Sequence, residues 1–402
     1  MNNMTQITKN LFYLGGNDRR IMLFESAYPV PRGMAYNSYL LKDKKTVLFD
    51  TVDASVADEF LDNLQAALGG RGLDYLVVHH MEPDHSATFL RVVETYPDVT
   101  VLTSRKAAVM LGDFFPYDGK NVQLVQEGET VSVGAHSLKF VFAPMVHWPE
   151  VMMTYIPEAG ILFSADAFGT FGANEGSIFG DSLDFERDFL NEARRYYFNI
   201  VGKYGVQVQN VLKKAAGLDV KLICPLHGPV WRKPKDIVRV VKTYDGWSKY
   251  EPEERGAVVF YSSVYGHTKN AAEIVASELA RRGVNAPLYD VSAIHVSHLV
   301  AEAFRYSHAV FLTTTYNAGM FVSMENFLRD LKAHAYQKRS YALVENGSWA
   351  PQAGACMQTV LSECKELKEI GEKVTVLSSV KEGTAEQLKA LAAMVADDVK
   401  NG

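Results

Sequence analysis

The sequence predicts an α/β protein of two domains, because two stretches with different patterns of strands and helices flank one polar segment. In the first stretch, short apolar runs alternate with turns and a few helical repeats, which indicates sheets covered by helices. In the second, buried strands alternate regularly with helices, which is typical of a doubly wound parallel sheet. We therefore expect one domain over residues 1–250 and another over 251–402.

The first domain shows strand patterns of four to six residues and three helical patterns. The middle helix places apolar residues such as Phe189, Ala193 and Tyr197 at helical spacing. The predicted strands are Tyr36–Leu41, Thr46–Phe49, Tyr75–His79, Val99–Thr103, Val122–Val125, Leu138–Ala143, Ile161–Ser164 and Leu222–Cys224, and the helices are Ser55–Leu68, Glu186–Ile200 and Gln207–Ala216.

A polar segment that contains proline and glycine, Gly246–Gly256, is the predicted linker. After it, Ala257–Tyr261 reads as a buried strand and Thr268–Arg282 as an amphipathic helix. Gly283 is the expected end of that helix. The further predicted strands are Ala309–Thr313, Tyr341–Val344 and Val374–Leu377.

Composition and charge exclude several classes of function. The net charge of −6 argues against a nucleic-acid-binding surface, and 48% hydrophobic residues suffice for large cores. No apolar run approaches the length of a membrane span, and the polar N-terminus does not resemble a signal peptide. Three cysteines without a CxxC pair provide neither a disulfide framework nor a rubredoxin-like site. We therefore expect a cytoplasmic protein that binds neither nucleic acid nor membrane.

The string His80-Met-Glu82-Pro-Asp84-His85 places two imidazoles and two carboxylates directly after a strand pattern. Burying these groups together requires compensation, and metal cations are the natural partners. Three further candidates each lie just past a predicted strand and can meet the string at one rim of the sheets. They are His147, Asp166 and His227. A lone histidine or aspartate is usually structural, but the combination with the string favours a metal site.

These residues resemble the metallo-β-lactamase fold in its flavodiiron variant, an αββα sandwich with metals at one edge. The related hydrolases carry HxHxDH and usually bind zinc, whereas Glu82 replaces the second histidine here. The additional carboxylate is a hard oxygen donor, which favours iron. The resemblance implies one iron on His80, Glu82 and His147, a second on Asp84, His85 and His227, and a bridging Asp166. Tyr196 and Tyr197, on the middle helix, are candidates for donating a hydrogen bond or a proton, with packing as the alternative.

The second domain contains a hydroxyl-rich loop between a strand and a helix, which is typical of a phosphate site. The loop has neither a Walker lysine nor a GxGxxG motif, which disfavours nucleoside triphosphates and dinucleotides. It resembles the FMN phosphate loop of flavodoxins, and two loops after later strands match the positions that hold the flavin ring. The candidate FMN residues are Ser262, Ser263, Tyr265, Gly266, His267, Thr268, Thr313, Thr314, Thr315, Tyr316, Asn317, Gly319, Asn346, Gly347, Ser348 and Trp349.

The resemblance covers essentially the whole chain and implies a flavodiiron oxidoreductase with a diiron centre and FMN. Such a protein reduces O2 to water, NO to N2O, or both. It implies a head-to-tail homodimer, with a tetramer left open, and an external electron donor such as rubredoxin or a flavin reductase. The alternatives are a metallo-β-lactamase-type hydrolase fused to a flavodoxin module, against which Glu82 argues, and an electron carrier with a structural metal.

Overall fold

The computed structural model describes residues 3–402 and divides into two compact units. The first comprises the described residues up to 197 together with 204–245, and the second comprises 198–203 together with 246–402. Among the described residues, no helix combines the length and apolar character needed to cross a bilayer.

The first unit is built on two main sheets. The strands are β1 Thr5–Gln6, β2 Leu11–Tyr13, β3 Gly16–Asp18, β4 Leu23–Phe24, β5 Tyr28–Pro29, β6 Met34–Tyr36, β7 Tyr39–Lys42, β8 Thr46–Phe49, β9 Tyr75–Val78, β10 Thr100–Thr103, β11 Val122–Leu124, β12 Thr130–Ser132, β13 Ser137–Phe142, β14 Met152–Ile156, β15 Ile161–Phe163 and β16 Leu222–Cys224. The α-helices are α1 Ala57–Leu68, α2 Pro83–Ser86, α3 Phe89–Thr95, α4 Arg105–Phe114, α5 Asn191–Tyr196, α6 Gly205–Ala215 and α7 Pro234–Ser248. Short 3-10 or π turns lie at Ala54–Val56, Gly180–Ser182 and Phe185–Leu190, and two more, Tyr197–Val201 and Gly202–Tyr204, include residues 198–203 of the second unit.

The two sheets face each other across one apolar core. The first has the order β1-β2-β7-β8-β9-β10-β11 and the second β12-β13-β14-β15-β16. Side chains from both sheets form a single buried cluster, in which Phe49 of β8 stacks on Phe163 of β15 with ring centroids 3.7 Å apart. Close packing of this kind fixes the sheets face to face, so that the loops after their strands can meet at one edge.

The second unit is a doubly wound sheet. Its elements are β17 Glu254–Tyr261, α8 His267–Arg281, β18 Leu288–Asp290, α9 Val296–Arg305, β19 Tyr306–Tyr316, β20 Gly319–Met320, α10 Val322–Ala333, β21 Gln337–Asn346, α11 Ala353–Leu361, β22 Lys365–Glu369, β23 Val374–Val376 and α12 Glu382–Asn401. Parallel pairing gives the order β18-β17-β19-β21, and both β22 and β23 pair with β21. This is the flavodoxin-like order 2-1-3-4-5, in which ligands bind at the carboxyl ends of the strands.

The fold class and most predicted elements are confirmed, including the end of α8 near Gly283, which has a φ of +75°. Three differences have physical causes. The predicted linker was too long, because α7 continues to Ser248 and β17 already begins at Glu254. The prediction missed the fully buried strand β14, because its two methionines favour helix intrinsically and only pairing with β13 and β15 makes it a strand. The predicted helix Glu186–Ile200 is α-helical only in its centre, since π turns flank α5 on both sides.

Candidate metal centre and flavin site

The structure brings all seven predicted metal ligands together in the first unit. His80 and the short helix α2 follow β9 of the first sheet, whereas His147, Asp166 and His227 follow β13, β15 and β16 of the second. β15 and β16 are parallel, so their carboxyl ends lie at the same edge. The ligand atoms form two buried groups. One contains His80, Glu82, His147 and Asp166, and the other contains Asp84, His85 and His227.

In the first group, two imidazoles and a carboxylate direct their atoms at one point. Nε2 of His147 lies 3.1 Å from Oε2 of Glu82 and 3.4 Å from Nε2 of His80. Nε2 of His80 lies 3.2 Å from the same glutamate oxygen. Ligands held about 2.0–2.2 Å from one ion are separated by about these distances. The triangle therefore suits a single cation.

The second group repeats this arrangement with an aspartate. Nε2 of His85 lies 3.1 Å from Nε2 of His227, and both nitrogens lie 3.2–3.3 Å from Oδ2 of Asp84. A hydrogen bond between the two ring nitrogens would satisfy only one pair of atoms, whereas three ligand atoms converge here. A cation between them is the more natural explanation of the geometry.

Asp166 lies between the two groups. Its Oδ2 is 3.1 Å from Nε2 of His147, and its Oδ1 is 3.2 Å from Nε2 of His85. The side chain is 1% exposed. One carboxylate oxygen is thus directed at each group.

Two partners of the histidines were not predicted from the sequence. Nδ1 of His80 lies 2.8 Å from Oε1 of Glu150, and Nδ1 of His227 lies 2.8 Å from the carbonyl oxygen of Ala35. Such contacts fix the ring orientation of metal-bound histidines and leave Nε2 as the ligand atom. The only signal for Glu150 is its position three residues after His147. The Ala35 carbonyl has no signal in the sequence.

Opposite charges stabilise one another in this site. Burial disfavours the charged form of Asp166, but His85 and His80 hold the pKa of its carboxyl well below the usual range. Burial likewise opposes protonation of His147, yet Asp166 and Glu82 raise its pKa to about 9. The carboxylates thus lower the energy of positive charge placed among them, which is the condition for holding cations.

Several buried polar atoms fit a metal as the missing partner. Within residues 3–402, neither oxygen of Asp84 nor Oδ1 of Asp166 has a hydrogen bond of acceptable geometry. Unsatisfied buried carboxylate oxygens are costly. The donor set of three carboxylates and four imidazoles suits a pair of iron ions.

Aromatic side chains surround His227, and the two predicted tyrosines, Tyr196 and Tyr197, differ in their contacts. The rings of Phe24, Tyr36 and Tyr196 lie 5.6–5.9 Å from its imidazole, edge-on to it. The Tyr196 hydroxyl is buried and has no hydrogen-bond partner in the part of the chain that the structure describes. Tyr197 instead packs against Tyr244, with ring centroids 4.9 Å apart. Of the two predicted tyrosines, Tyr196 is the one whose ring is seen against a candidate ligand.

The second unit contains a cavity of about 530 Å3 at the carboxyl ends of its strands. The three predicted loops line it, and Tyr265 and Trp349 at its rim are 89% and 83% exposed. Aromatic rings that stand open to solvent are ready to cover a planar ring system. Gly266, at the start of α8, has a φ of +90°, and a Cβ built there would meet only open space. The first-turn backbone amides of α8 border this space, which suits a phosphate.

Not every predicted flavin residue lines the cavity. Ser262 is buried below the loop and is hydrogen-bonded to Thr313 at 2.6 Å, so these two support the loop. Gly266 and Gly319 shape the backbone beside the cavity and do not line it. The lining residues outside the predicted set are Val264, Ala318, Ala350, Gln352 and Ser378. Of these, Ser378 accepts a hydrogen bond at its carbonyl oxygen from Asn346 at 3.0 Å, a contact between distant loops that no local pattern reveals.

The fold and the two sites define a protein that combines a buried two-metal cluster with a flavodoxin-type ligand cavity. Comparison with known families agrees with both halves. Residues 34–228 match the family described as ODP family beta lactamase, and residues 259–392 match the flavodoxin family.

Individual relatives cover most of the chain. A nitric oxide reductase of Moorella thermoacetica (strain ATCC 39073 / JCM 9320) is 33% identical over 305 residues, which are 75% of each chain. The solved structure of rubredoxin oxygen:oxidoreductase from Desulfovibrio gigas has a TM-score of 0.94, with 26% identity over 99% of both chains. A mutant of the flavo di-iron protein from Thermotoga maritima has a TM-score of 0.90, with 25% identity over 98% of both chains.

This chain belongs to the flavodiiron protein family. It is an oxidoreductase whose cofactors are a non-haem diiron centre and FMN.

Proposed function

We propose that this enzyme reduces O2 to water, NO to N2O, or both, with electrons that reach the metal site through FMN. The observation that carries the proposal is the position of Asp166, with one oxygen directed at each of two buried ligand groups. The names of the relatives, a nitric oxide reductase and a rubredoxin oxygen:oxidoreductase, support both gases as substrates.

The proposed ligand assignment follows the two groups. His80, Glu82 and His147 hold one iron, Asp84, His85 and His227 hold the other, and Asp166 bridges them. When bound, the irons and the flavin supply the electrons for the reduction. Glu150 and the Ala35 carbonyl orient His80 and His227 from behind. Tyr196 is the group we assign to donate a hydrogen bond to bound substrate, because its ring lies against that of His227 and its hydroxyl is buried, and because burial and the charge of Asp166 raise its pKa and keep it protonated.

The proposed FMN site uses the loop before α8 for the phosphate and the two later loops for the ring. Ser263, His267 and Thr268 would hold the phosphate, and Tyr265, Tyr316 and Trp349 would cover the ring, because all six line the cavity. Thr315, Asn346 and Gly347 also line the cavity and would supply polar contacts to the edge of the flavin ring. We place the domain boundary between residues 250 and 251.

The electron donor is external, and rubredoxin is the first candidate because one relative carries it in its name. We propose a head-to-tail homodimer, with FMN of one subunit serving the diiron site of the other, and a cytoplasmic location. Both proposals come from the family resemblance.

A single preparation tests the activity. The iron- and FMN-loaded protein is reduced anaerobically, and its flavin reoxidation and gas consumption are followed with O2 and with NO. Rapid reoxidation with water or N2O as product is the expected result. Two bound zinc ions, hydrolase activity and slow reoxidation would instead identify a fused hydrolase.

Asp166→Ala tests the ligand assignment. The variant should lose the bridge and much of the iron while it keeps FMN, because the flavin cavity contains no residue of the first unit. Metal analysis and flavin absorbance report both contents. Asp62→Ala, a change at an exposed position of α1, is the control. Full iron content and normal turnover in Asp166→Ala would refute the assignment.

A further inference from the structure

An apolar cavity of about 480 Å3 lies in the first unit. Helices α6 and α7 form one side of it, through residues such as Val211 and Val241. The second sheet forms the other side, through Met153, Leu162 and Ile223 of β14, β15 and β16. The activity proposed above assigns no role to this space.

The inner wall of the cavity contains two residues that neighbour metal-ligand candidates in the chain. Its lining includes Val146 and Ala167, which directly adjoin the proposed ligands His147 and Asp166 in the chain. Cα atoms joined by a trans peptide, such as that between Asp166 and Ala167, are only about 3.8 Å apart. The layer between the cavity and the cluster is therefore about one residue thick at Ala167.

The lining of the cavity gives water little to bind. Most of it is aliphatic or aromatic, and among its polar residues Gln209 donates to Oδ1 of Asp245 at 2.8 Å. The cavity is open to solvent on the α7 side, where Val238 is 67% exposed, but its mostly apolar wall can bind apolar molecules such as xenon. O2 and NO are uncharged, weakly hydrated diatomics that gain from the same transfer out of water.

We propose that this cavity is a reservoir and access route through which the gaseous substrate reaches the diiron site. The inference rests on the proposed O2 or NO reduction. The cavity volume exceeds the roughly 30 Å3 that one water molecule occupies in the liquid by more than tenfold, so several diatomic molecules fit. Gas held against the apolar wall of the cavity lies close to the ligands.

Val211→Trp fills the cavity from α6 and is the test variant. Val206→Trp is the matched control, because Val206 lies on the same helix, is 67% exposed and does not line the cavity. Crystals of the three proteins are pressurised with xenon, and the loaded enzymes are assayed over a range of O2 and NO concentrations.

Xenon should occupy the cavity in the wild type and in Val206→Trp but not in Val211→Trp. The KM for the gas should rise on the order of fivefold in Val211→Trp while kcat, iron content and FMN content stay unchanged, which is the signature of lost substrate supply.

An active Val211→Trp enzyme with an unchanged KM overturns the access route and leaves the proposed function intact. Absence of xenon from the wild type, or a lipid-like chain in its place, overturns the reservoir. A loaded wild type that consumes neither gas overturns the proposed function itself.

Discussion

At the scale of single residues, Glu82 decides what kind of metal site this is. It stands where the related hydrolases have a histidine, and its Oε2 lies 3.1–3.2 Å from two imidazoles. Burial disfavours its charge, yet His147 and His80 hold the pKa of its carboxyl below the usual range. The site therefore contains a third anionic oxygen donor near neutral pH, which stabilises the higher charge of iron better than a neutral imidazole does.

Glu150 provides a residue-scale prediction. Glu150→Gln removes the charged partner of His80 Nδ1, so the ring orientation is held less firmly and iron affinity should fall by about 10- to 100-fold. Iron retained after titration with a chelator measures the effect. Glu94→Gln, at an exposed position of α3, should leave retention unchanged. Equal retention in both variants would contradict a role for Glu150 in positioning the ligand.

The sequence could predict the ligand candidates but not their supporting partners. Four of the seven lie within one six-residue string, and the others follow strands whose apolar patterns are visible. The contact between His80 and Glu150 spans 70 residues, and the Ala35 carbonyl that bonds His227 is a backbone atom common to every residue type. Such contacts exist only once both sheets are packed.

At the scale of elements, the loop before α8 depends on one left-handed residue. Gly266→Val places a β-branched side chain at a φ of +90°, which costs about 1–3 kcal/mol of strain and should weaken FMN binding by about one order of magnitude. Titration of the flavin-free protein with FMN measures the dissociation constant. Iron content should not change.

Gly283→Val is the matched control for this loop. It introduces a comparable strain, at a φ of +75°, at the opposite end of α8, where a Cβ also meets nothing within 4 Å. The control should lower the thermal stability but not the FMN affinity. An equal loss of affinity in both variants would show that Gly266 acts through stability alone.

Asp398 ties the last helix to three strands. Its carboxylate accepts hydrogen bonds from His308 of β19 at 3.0 Å and Ser340 of β21 at 3.2 Å, and it pairs with Lys368 of β22. The bond from Lys368 lowers the pKa of Asp398 to about 2, although burial opposes the shift. A depressed pKa means that the carboxylate stabilises the fold above its unfolded pKa of about 3.9, and that this contribution is lost as pH falls through about 2.

Asp398→Asn should therefore lower the FMN-release temperature by about 3–8 °C at pH 5, and the deficit should shrink between pH 4 and pH 2. FMN fluorescence during heating reports the transition. Asp397→Asn changes the exposed neighbour on the same helix and should have little effect at any pH. A deficit that stays constant down to pH 2 would contradict the assigned pKa.

The sequence predicted elements well where local pattern and tertiary pairing agree. The strands of the parallel sheet are apolar runs between turn signals, so β17, β19 and β21 were found with their ends misplaced by a few residues. The π turns around α5 were missed because a 3.6-residue period does not distinguish them from an α-helix. In the same way, Gly246 suggests a break, but the buried Trp247 keeps α7 helical beyond it.

At the scale of the whole molecule, the two cofactor sites share no residue. The metal candidates all belong to the first unit, and the flavin cavity is lined only by residues of the second. Each site can therefore be disabled while the other remains. This separation makes the proposed head-to-tail arrangement testable without a structure of the dimer.

Subunits lacking iron and subunits lacking FMN should restore activity to one another. Co-expression of Asp166→Ala with Gly266→Val gives mixed dimers in which the flavin of the first subunit faces the diiron site of the second. With random pairing, half of the dimers are mixed and each has one working pair of two, so activity should reach about a quarter of that of the wild type. Gas consumption by the co-purified mixture is measured at an FMN concentration too low to saturate Gly266→Val. If electrons instead passed within one chain, no subunit would have both sites, and the mixture would be no more active than either variant alone.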